Sequence, residues 1–105
     1  MGNIEFLNSI KTTVQSYLPD AKVLLFGSRA RGDFNMHSDF DLLVVSKNAI
    51  ESKDRMNLES KISKSLVYSL HVPFDVLLYS QEDVELKKNV RGLIIFYALK
   101  DAIEL

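Results

Sequence analysis

The sequence predicts an α+β domain, with an α/β sandwich-like arrangement in which helices pack on a small mixed β-sheet. Hydrophobic patterns follow one another in the order helix, strand, strand, helix, strand and helices. The length of 105 residues, with 47% hydrophobic and 26% charged residues, is typical of one globular domain, so residues 1–105 are expected to share one core. Because a helix connects the second and third strands, this pattern leaves open whether they are parallel or antiparallel.

The N-terminal half is predicted to contain one helix and two strands around a glycine turn. The helix spans Asn3–Leu18, its first residue could serve as the cap, and its apolar stripe begins at Ile4. The first strand, Lys22–Phe26, is followed by a helical turn that starts at Ser28. The second strand, Asp39–Ser46, has an apolar run at its centre, which indicates a central strand covered on both faces.

The C-terminal half is predicted to contain a long helix, a third strand and two shorter helices. The long helix spans Asn48–Leu70, and the third strand spans Val72–Tyr79. Ser80, with Asp83 three residues later, is typical of a helix N-terminus. The final helix is predicted over Leu93–Lys100.

Three aspartates are candidates for a metal site. Asp39 and Asp41 are two residues apart, so on a strand they project from the same face. Two adjacent carboxylates repel each other, and Mg²⁺, which prefers oxygen ligands and often sits between carboxylates and substrate phosphates, removes that repulsion. Asp75 lies inside the third predicted strand, where aspartate is disfavoured and rarely buried without a partner. If the third strand neighbours the second, Asp75 can join the same metal centre.

A glycine–serine turn lies between the first two strands. Gly27 allows the backbone to turn without a Cβ clash, and Ser28 follows where free N–H groups and a hydroxyl would point outward. Arg29 and Arg31 form a local basic cluster, and guanidinium groups suit phosphate oxygens. The stretch Val23–Val45 is therefore predicted to form a site for a metal-bound nucleoside triphosphate.

Composition excludes several other classes of protein. Cysteine is absent, which excludes disulfides and thiolate metal sites, and His37 and His71 are the only histidines, which argues against zinc. The formal net charge of −1 gives no global footprint for nucleic acid, so no direct nucleic-acid partner is expected. No apolar run approaches a membrane span, and the N-terminus lacks the pattern of a secretory signal. We therefore expect no membrane association and a cytoplasmic location.

The motif GSRARGDFNMHSDFDLLVV, followed by a lone Asp75 on a strand, resembles the minimal nucleotidyltransferase branch of the DNA polymerase β superfamily. Its elements are Gly27-Ser28, ten intervening residues, and Asp39-Phe40-Asp41. The segment from Gly92 to Lys100 is also similar to the final helix of those proteins. The resemblance covers almost the whole chain and implies the nucleotidyltransferase fold.

The resemblance also implies the composition of the site. Asp39 and Asp41 would bind two Mg²⁺ ions that carry ATP, and Asp75 would bind the metal nearer the acceptor and help to deprotonate its hydroxyl. Gly27 and Ser28 would hold the β- and γ-phosphates. Arg29, Arg31 and Ser38 complete the list of candidate cofactor-binding residues, although the two arginines could be solvated loop charges and Ser38 could simply form the turn before the second strand.

Small single-domain members of this branch resemble the antitoxin of two-gene toxin–antitoxin modules, whose partner is a helical HEPN ribonuclease toxin. The resemblance implies a hetero-oligomer in which AMP moves from ATP to a tyrosine of the toxin. Two alternatives stay open from the sequence. One is a binding module that covers its partner without catalysis, and the other is a transferase acting on a small molecule such as an aminoglycoside.

Overall fold

The computed structural model describes residues 4–105, which form five helices and four strands and confirm the predicted α+β class. The helices are α1 (Ile4–Tyr17), α2 (Ser28–Arg31), α3 (Ser52–Leu70), α4 (Gln81–Lys87) and α5 (Ile94–Asp101). The strands are β1 (Lys22–Phe26), β2 (Phe40–Ser46), β3 (Phe74–Ser80) and β4 (Ile103–Glu104). Across residues 4–105, no helix combines the length with the apolar character that a bilayer crossing requires.

The strands form one mixed sheet in the order β3-β2-β1-β4. β1 pairs antiparallel with both β2 and β4, whereas β2 and β3 are parallel and α3 forms the connection between them. The apolar run from Leu42 to Val45 is buried along its whole length, which confirms that β2 is a central strand covered on both faces.

Alternate side chains of the sheet belong to two different cores. Leu42 and Val44 of β2 pack with the buried residues of α1 and α3, such as Ile62. Leu43 of β2 belongs to a smaller cluster with Ala98 of α5. Because successive residues of a strand point to opposite faces, α1 and α3 cover one face of the sheet and α5 covers the other.

The first helix differs from its predicted extent at its N-terminal end. α1 is described from Ile4 to Tyr17, and the expected cap, Asn3, lies outside the described residues. Ile4 is 71% exposed, so its assignment to the buried stripe was wrong. The burial of α1 is centred on Ile10 and Val14, which are fully inaccessible to solvent.

Two further starts were placed too early by the sequence pattern. β2 begins at Phe40, whose N–H donates to the carbonyl of Pro73 at 3.0 Å, so Asp39 ends the preceding loop and is not a strand residue. α3 begins later than the predicted Asn48, because its N-cap Glu51 has extended backbone angles of φ −62° and ψ 147°. The burial of side chains alone does not reveal such local backbone choices.

In the C-terminal half, the predicted cap is confirmed and one strand is new. The Ser80 hydroxyl accepts a hydrogen bond of 3.1 Å from the N–H of Asp83 at the start of α4. β3 and α5 lie within one or two residues of their predicted bounds. β4 was not predicted, because its two exposed residues carry no pattern of their own and are strand only through pairing with Leu24 and Leu25.

Candidate active site

The parallel pairing of β2 and β3 brings two of the predicted carboxylates side by side. Asp41 of β2 and Asp75 of β3 are register partners, and neighbouring strands lie only about 4.8 Å apart. Asp41 is two residues before Leu43 in β2, and Asp75 is two residues before Leu77 in β3. Both aspartates therefore lie on the side of the sheet that α5 covers. Each aspartate is the second residue of its strand, so the pair lies where both strands begin.

Asp39 belongs to the same electrostatic cluster, although it precedes the strand. Burial raises the pKa of Asp41 above its ordinary value, and the negative charges of Asp75 and Asp39 raise it further. Within residues 4–105, no three histidine, aspartate or glutamate side chains are grouped so that they could hold a metal ion as they stand. The three carboxylates thus form a cluster of coupled charges and not a closed metal cage.

Gly27 lies directly against the Asp41 carboxylate. It follows Phe26, the register partner of Asp41, and has φ 76° and ψ −159°, a conformation that is essentially restricted to glycine. A Cβ built on Gly27 would overlap the Asp41 Oδ2 atom. Glycine is therefore required here both by the backbone angles and by the close approach of a carboxylate.

The turn after Gly27 continues into the short helix α2. The Gly27 carbonyl accepts hydrogen bonds of 3.1 Å and 3.0 Å from the N–H groups of Ala30 and Arg31. Ser28 is the first residue of α2 and is partly exposed. The first N–H groups of a helix lack intrahelical acceptors, so Ser28 offers a hydroxyl and a backbone donor beside the acidic cluster.

Arg29 and Ser38 organise the loop that leads to Asp39. The Arg29 Nε and Nη2 atoms donate to the Ser38 carbonyl at 3.2 Å and 3.0 Å, and the guanidinium carbon lies 4.4 Å from the ring centroids of both Phe34 and Phe40. The Ser38 hydroxyl accepts the N–H of Asn35 at 3.0 Å, which is the turn role that the sequence left open. These contacts fix the approach of the chain to β2.

Arg31 links the turn to the C-terminal helix. Its Nε and Nη1 atoms donate to Asp33 and Asp101, each at 3.1 Å, and these hydrogen bonds raise the pKa of Arg31 above its ordinary value, Asp33 more than Asp101. The positive charge of Arg31 also lowers the pKa of Asp41, against the larger effect of burial. Asp101 was not among the predicted site residues, because no local motif connects it with a position so far back in the chain.

A cleft of about 240 Å³ opens beside Gly27. The turn side of the cleft is formed by Gly27 and Arg31, and the opposite wall is formed by α5 residues that include Ile94, Tyr97 and Lys100. Tyr97 is 55% exposed, so part of its ring is accessible at this wall. The cleft thus places the Arg31–Asp101 ion pair next to an apolar wall.

The residues of the cluster fit Mg²⁺. Asp39, Asp41 and Asp75 offer only carboxylate oxygens, which are the ligands that this hard cation prefers. Burial and mutual repulsion disfavour the ionised form of Asp41, and a bound divalent cation would reverse that effect. The chemistry of the donor set is therefore that of a cation site open to an oxygen-rich ligand.

Comparison with known proteins indicates the family to which this chain belongs. Residues 8–99 match the family model described as "Polymerase beta, Nucleotidyltransferase". A protein of Haemophilus influenzae described as "Probable protein adenylyltransferase MntA" is 36% identical over 97 residues, which cover 92% of this chain and 82% of that protein.

Solved structures share the fold. A chain in the crystal structure of a toxin–antitoxin with AMP-PNP has a TM-score of 0.64 at 17% identity, over 92% of this chain and 69% of that chain. A chain in the complex of a tri-AMPylated Shewanella oneidensis HEPN toxin with an MNT antitoxin has a TM-score of 0.61 at 14% identity, over 95% of this chain and 68% of that chain. From the family match and the relative together, we conclude that this chain belongs to the polymerase beta nucleotidyltransferase family and is a nucleotidyltransferase.

Proposed function

We propose that this chain transfers AMP from ATP to a tyrosine hydroxyl of a HEPN-type toxin, in a reaction that requires Mg²⁺, and thereby acts as the antitoxin. The observation that carries the proposal is the register pairing of Asp41 with Asp75 beside the constrained Gly27. It is supported by the relative described as a protein adenylyltransferase and by the fold shared with chains of toxin–antitoxin complexes.

The nucleotide end of the site would be formed by the turn after β1. Gly27 lets the turn approach the Asp41 carboxylate because it has no side chain, and the N–H and hydroxyl of Ser28 would donate to the β- and γ-phosphates. Asp39 and Asp41 would hold two Mg²⁺ ions. When bound, these ions supply neutralisation of the phosphate charge and of the developing charge on the attacking and leaving oxygens.

The acceptor end would be formed by Asp75, which is exposed at the beginning of β3. Its carboxylate would orient the acceptor hydroxyl and take up its proton as the oxygen attacks the α-phosphorus. A new bond forms between that oxygen and the α-phosphorus, the bond to the bridging oxygen breaks, and pyrophosphate leaves with the electron pair. Asp75 is the most accessible of the two paired carboxylates, which suits contact with a second molecule.

Arg31 would contact the substrate, whereas Arg29 and Ser38 would act only through the structure of the loop. Arg31 lines the cleft, and it can contribute to phosphate binding by exchanging one of its two carboxylate partners for a phosphate oxygen. Arg29 and Ser38 act indirectly, because their mutual hydrogen bonds hold the loop that carries Asp39. Loss of Arg29 should therefore weaken metal binding more than it weakens phosphate recognition.

The test is transfer of label from α-labelled ATP, with Mg²⁺, to a HEPN-type toxin, taken from a reading frame next to this chain's own that encodes a helical protein. We expect the label on a tyrosine of that protein, and no label with the double variant Asp39→Ala, Asp41→Ala. Asp20→Asn, a change of an exposed aspartate in the turn before β1, is the matched control and should transfer label normally. Equal labelling by the double variant would refute the catalytic proposal.

A second candidate function is inhibition by steric cover without catalysis. The exposed apolar side chains of α5, such as Ile94 and Tyr97, favour tight binding of a partner whether or not transfer occurs. In this case the double aspartate variant would still neutralise the toxin in a growth-rescue assay, and ATP would be dispensable. Rescue that depends on the aspartates excludes this candidate.

A further inference from the structure

We infer that the acceptor protein docks on the outer surface formed by α5, the end of α4 and the turn between them, and this inference rests on the proposed function. This surface, the α5 face, consists of five exposed apolar side chains: Leu86, Val90, Leu93, Ile94 and Tyr97. Their exposed fractions are 69%, 47%, 39%, 50% and 55%. Such a concentration of apolar side chains in one segment is typical of a protein-binding surface.

The α5 face is continuous with the cleft at Gly27. Ile94 and Tyr97 are three residues apart on α5, so they lie on the same side of the helix, and both line the cleft. Gly27 lines the cleft and also lies against the Asp41 carboxylate, so a protein whose side chain reaches Asp41 would pass close to the cleft. The apolar surface extends beyond the cleft towards Val90 and Leu86, which gives a protein acceptor more to contact than a small molecule would need.

The charges around the α5 face define the chemistry of the partner. The segment from Leu86 to Lys100 that carries these apolar side chains contains four basic residues and no acidic residue, although the chain as a whole has a net charge of −1. The four are Lys87, Lys88, Arg91 and Lys100. Lys88 is paired with Glu85 at 2.8 Å, and the Lys100 ammonium lies 5.8 Å from the ring centroid of Tyr97. The matching surface is therefore a protein face with an apolar centre and an acidic rim.

The exposed apolar side chains of α3 do not line the cleft. Met56 and Tyr68 are 64% and 83% exposed, but they belong to α3, which packs on the opposite face of the sheet from α5. They are as hydrophobic and as accessible as the residues of the α5 face. They therefore provide a matched control in which only the position relative to the active site differs.

The experiment compares two double variants of the full chain: Val90→Asp, Leu93→Asp on the α5 face, and Met56→Asp, Tyr68→Asp on α3. Neither Val90 nor Leu93 lines the cleft, so the first variant should bind Mg²⁺-ATP with the affinity of the wild type, which also verifies that it folds. Its affinity for the helical protein encoded beside this chain, measured by calorimetry, should fall by about ten-fold or more. The α3 variant should keep the wild-type affinity.

The outcomes separate the docking inference from the proposed function. If label is transferred but the α5 variant binds and labels the partner as well as the wild type does, the docking inference is overturned and the transfer reaction stands. If the wild type binds the partner through the α5 face without transferring label, the transfer reaction fails and the docking surface stands. Loss of a self-associated form of this chain in the α5 variant, with unchanged partner binding, would assign the face to a second copy and overturn the inference.

Discussion

Replacement of Gly27 by alanine places a methyl group where the Asp41 carboxylate lies. The backbone of Gly27, at φ 76° and ψ −159°, is in a region that non-glycine residues occupy at a cost of about 1–3 kcal/mol. The new Cβ overlaps Asp41 Oδ2, so the carboxylate must rotate away from its preferred rotamer, which costs about 0.5–1.5 kcal/mol more. We expect Gly27→Ala to lower the free energy of unfolding by about 1.5–4.5 kcal/mol in total.

Gly32→Ala is the matched control for the steric part of this effect. Gly32 also has a positive φ, of 88°, but a Cβ built there meets no atom within 4 Å. Its replacement should cost only the backbone penalty of about 1–2 kcal/mol. The difference between the two alanine variants contains the contact with Asp41 and the difference between the two backbone penalties. The contribution of the contact is the part that disappears when both variants are repeated in an Asp41→Ala background.

Urea unfolding followed by far-UV circular dichroism suits this chain, which has no tryptophan. The measurement is made in EDTA so that metal binding does not contribute, and a parallel titration records the affinity for Mg²⁺-ATP. Each kcal/mol should lower Tm by about 4–8 °C in a domain of this size. Equal losses of stability in the Gly27 and Gly32 variants, with equal nucleotide affinity, would show that the approach of the Asp41 carboxylate to the turn has no energetic consequence.

Three further predictions concern the strands and a helix cap. The pKa of Asp41 is raised in the folded state, so the folded protein loses stability as the pH rises through that folded-state pKa. Asp41→Asn should therefore be more stable than the wild type at pH 7 in EDTA. Below the ordinary pKa of an aspartate, about pH 4, the variant should have no such advantage. A wild type that is the more stable of the two at pH 7 in EDTA contradicts that sign. Ser80→Ala removes the acceptor of the Asp83 N–H and should cost about 1 kcal/mol in urea unfolding. Leu42→Ala, at a fully buried position of the central strand, should cost about 2–5 kcal/mol, and a loss below about 1 kcal/mol would mean that the strand is less tightly packed than described.

Local chemistry explains why much of the fold could be predicted from the sequence. The burial of Leu42–Val45, the turn at Gly27 and the cap at Ser80 each depend on neighbours within a few residues, and all three agree with expectation. β4 depends on pairing with β1 and has no such local signal. Residue patterns report local burial and turns, so they could not predict a strand that depends on a distant partner.

The candidate site was predictable only in part for the same reason. The three aspartates could be selected because each is unusual in its local context, but whether Asp75 lies beside Asp41 depends on the parallel direction of β3, which periodicity does not determine. The pairing of Arg31 with Asp101 likewise joins residues that are 70 positions apart in the sequence. The sequence therefore identified the chemistry of the site better than its walls.

The partnership of Asp41 and Asp75 also has a consequence for how activity arises during folding. The two carboxylates meet only after the whole of α3 has crossed over and β3 has joined the sheet, so the N-terminal half of the chain has no complete centre of its own. Partly folded molecules should consequently have no transferase activity, and not only a reduced rate. Under the proposed function, nucleotide bound at this centre would select the fully assembled domain, so it should protect distant amides in α3 from hydrogen exchange as well as those around the turn.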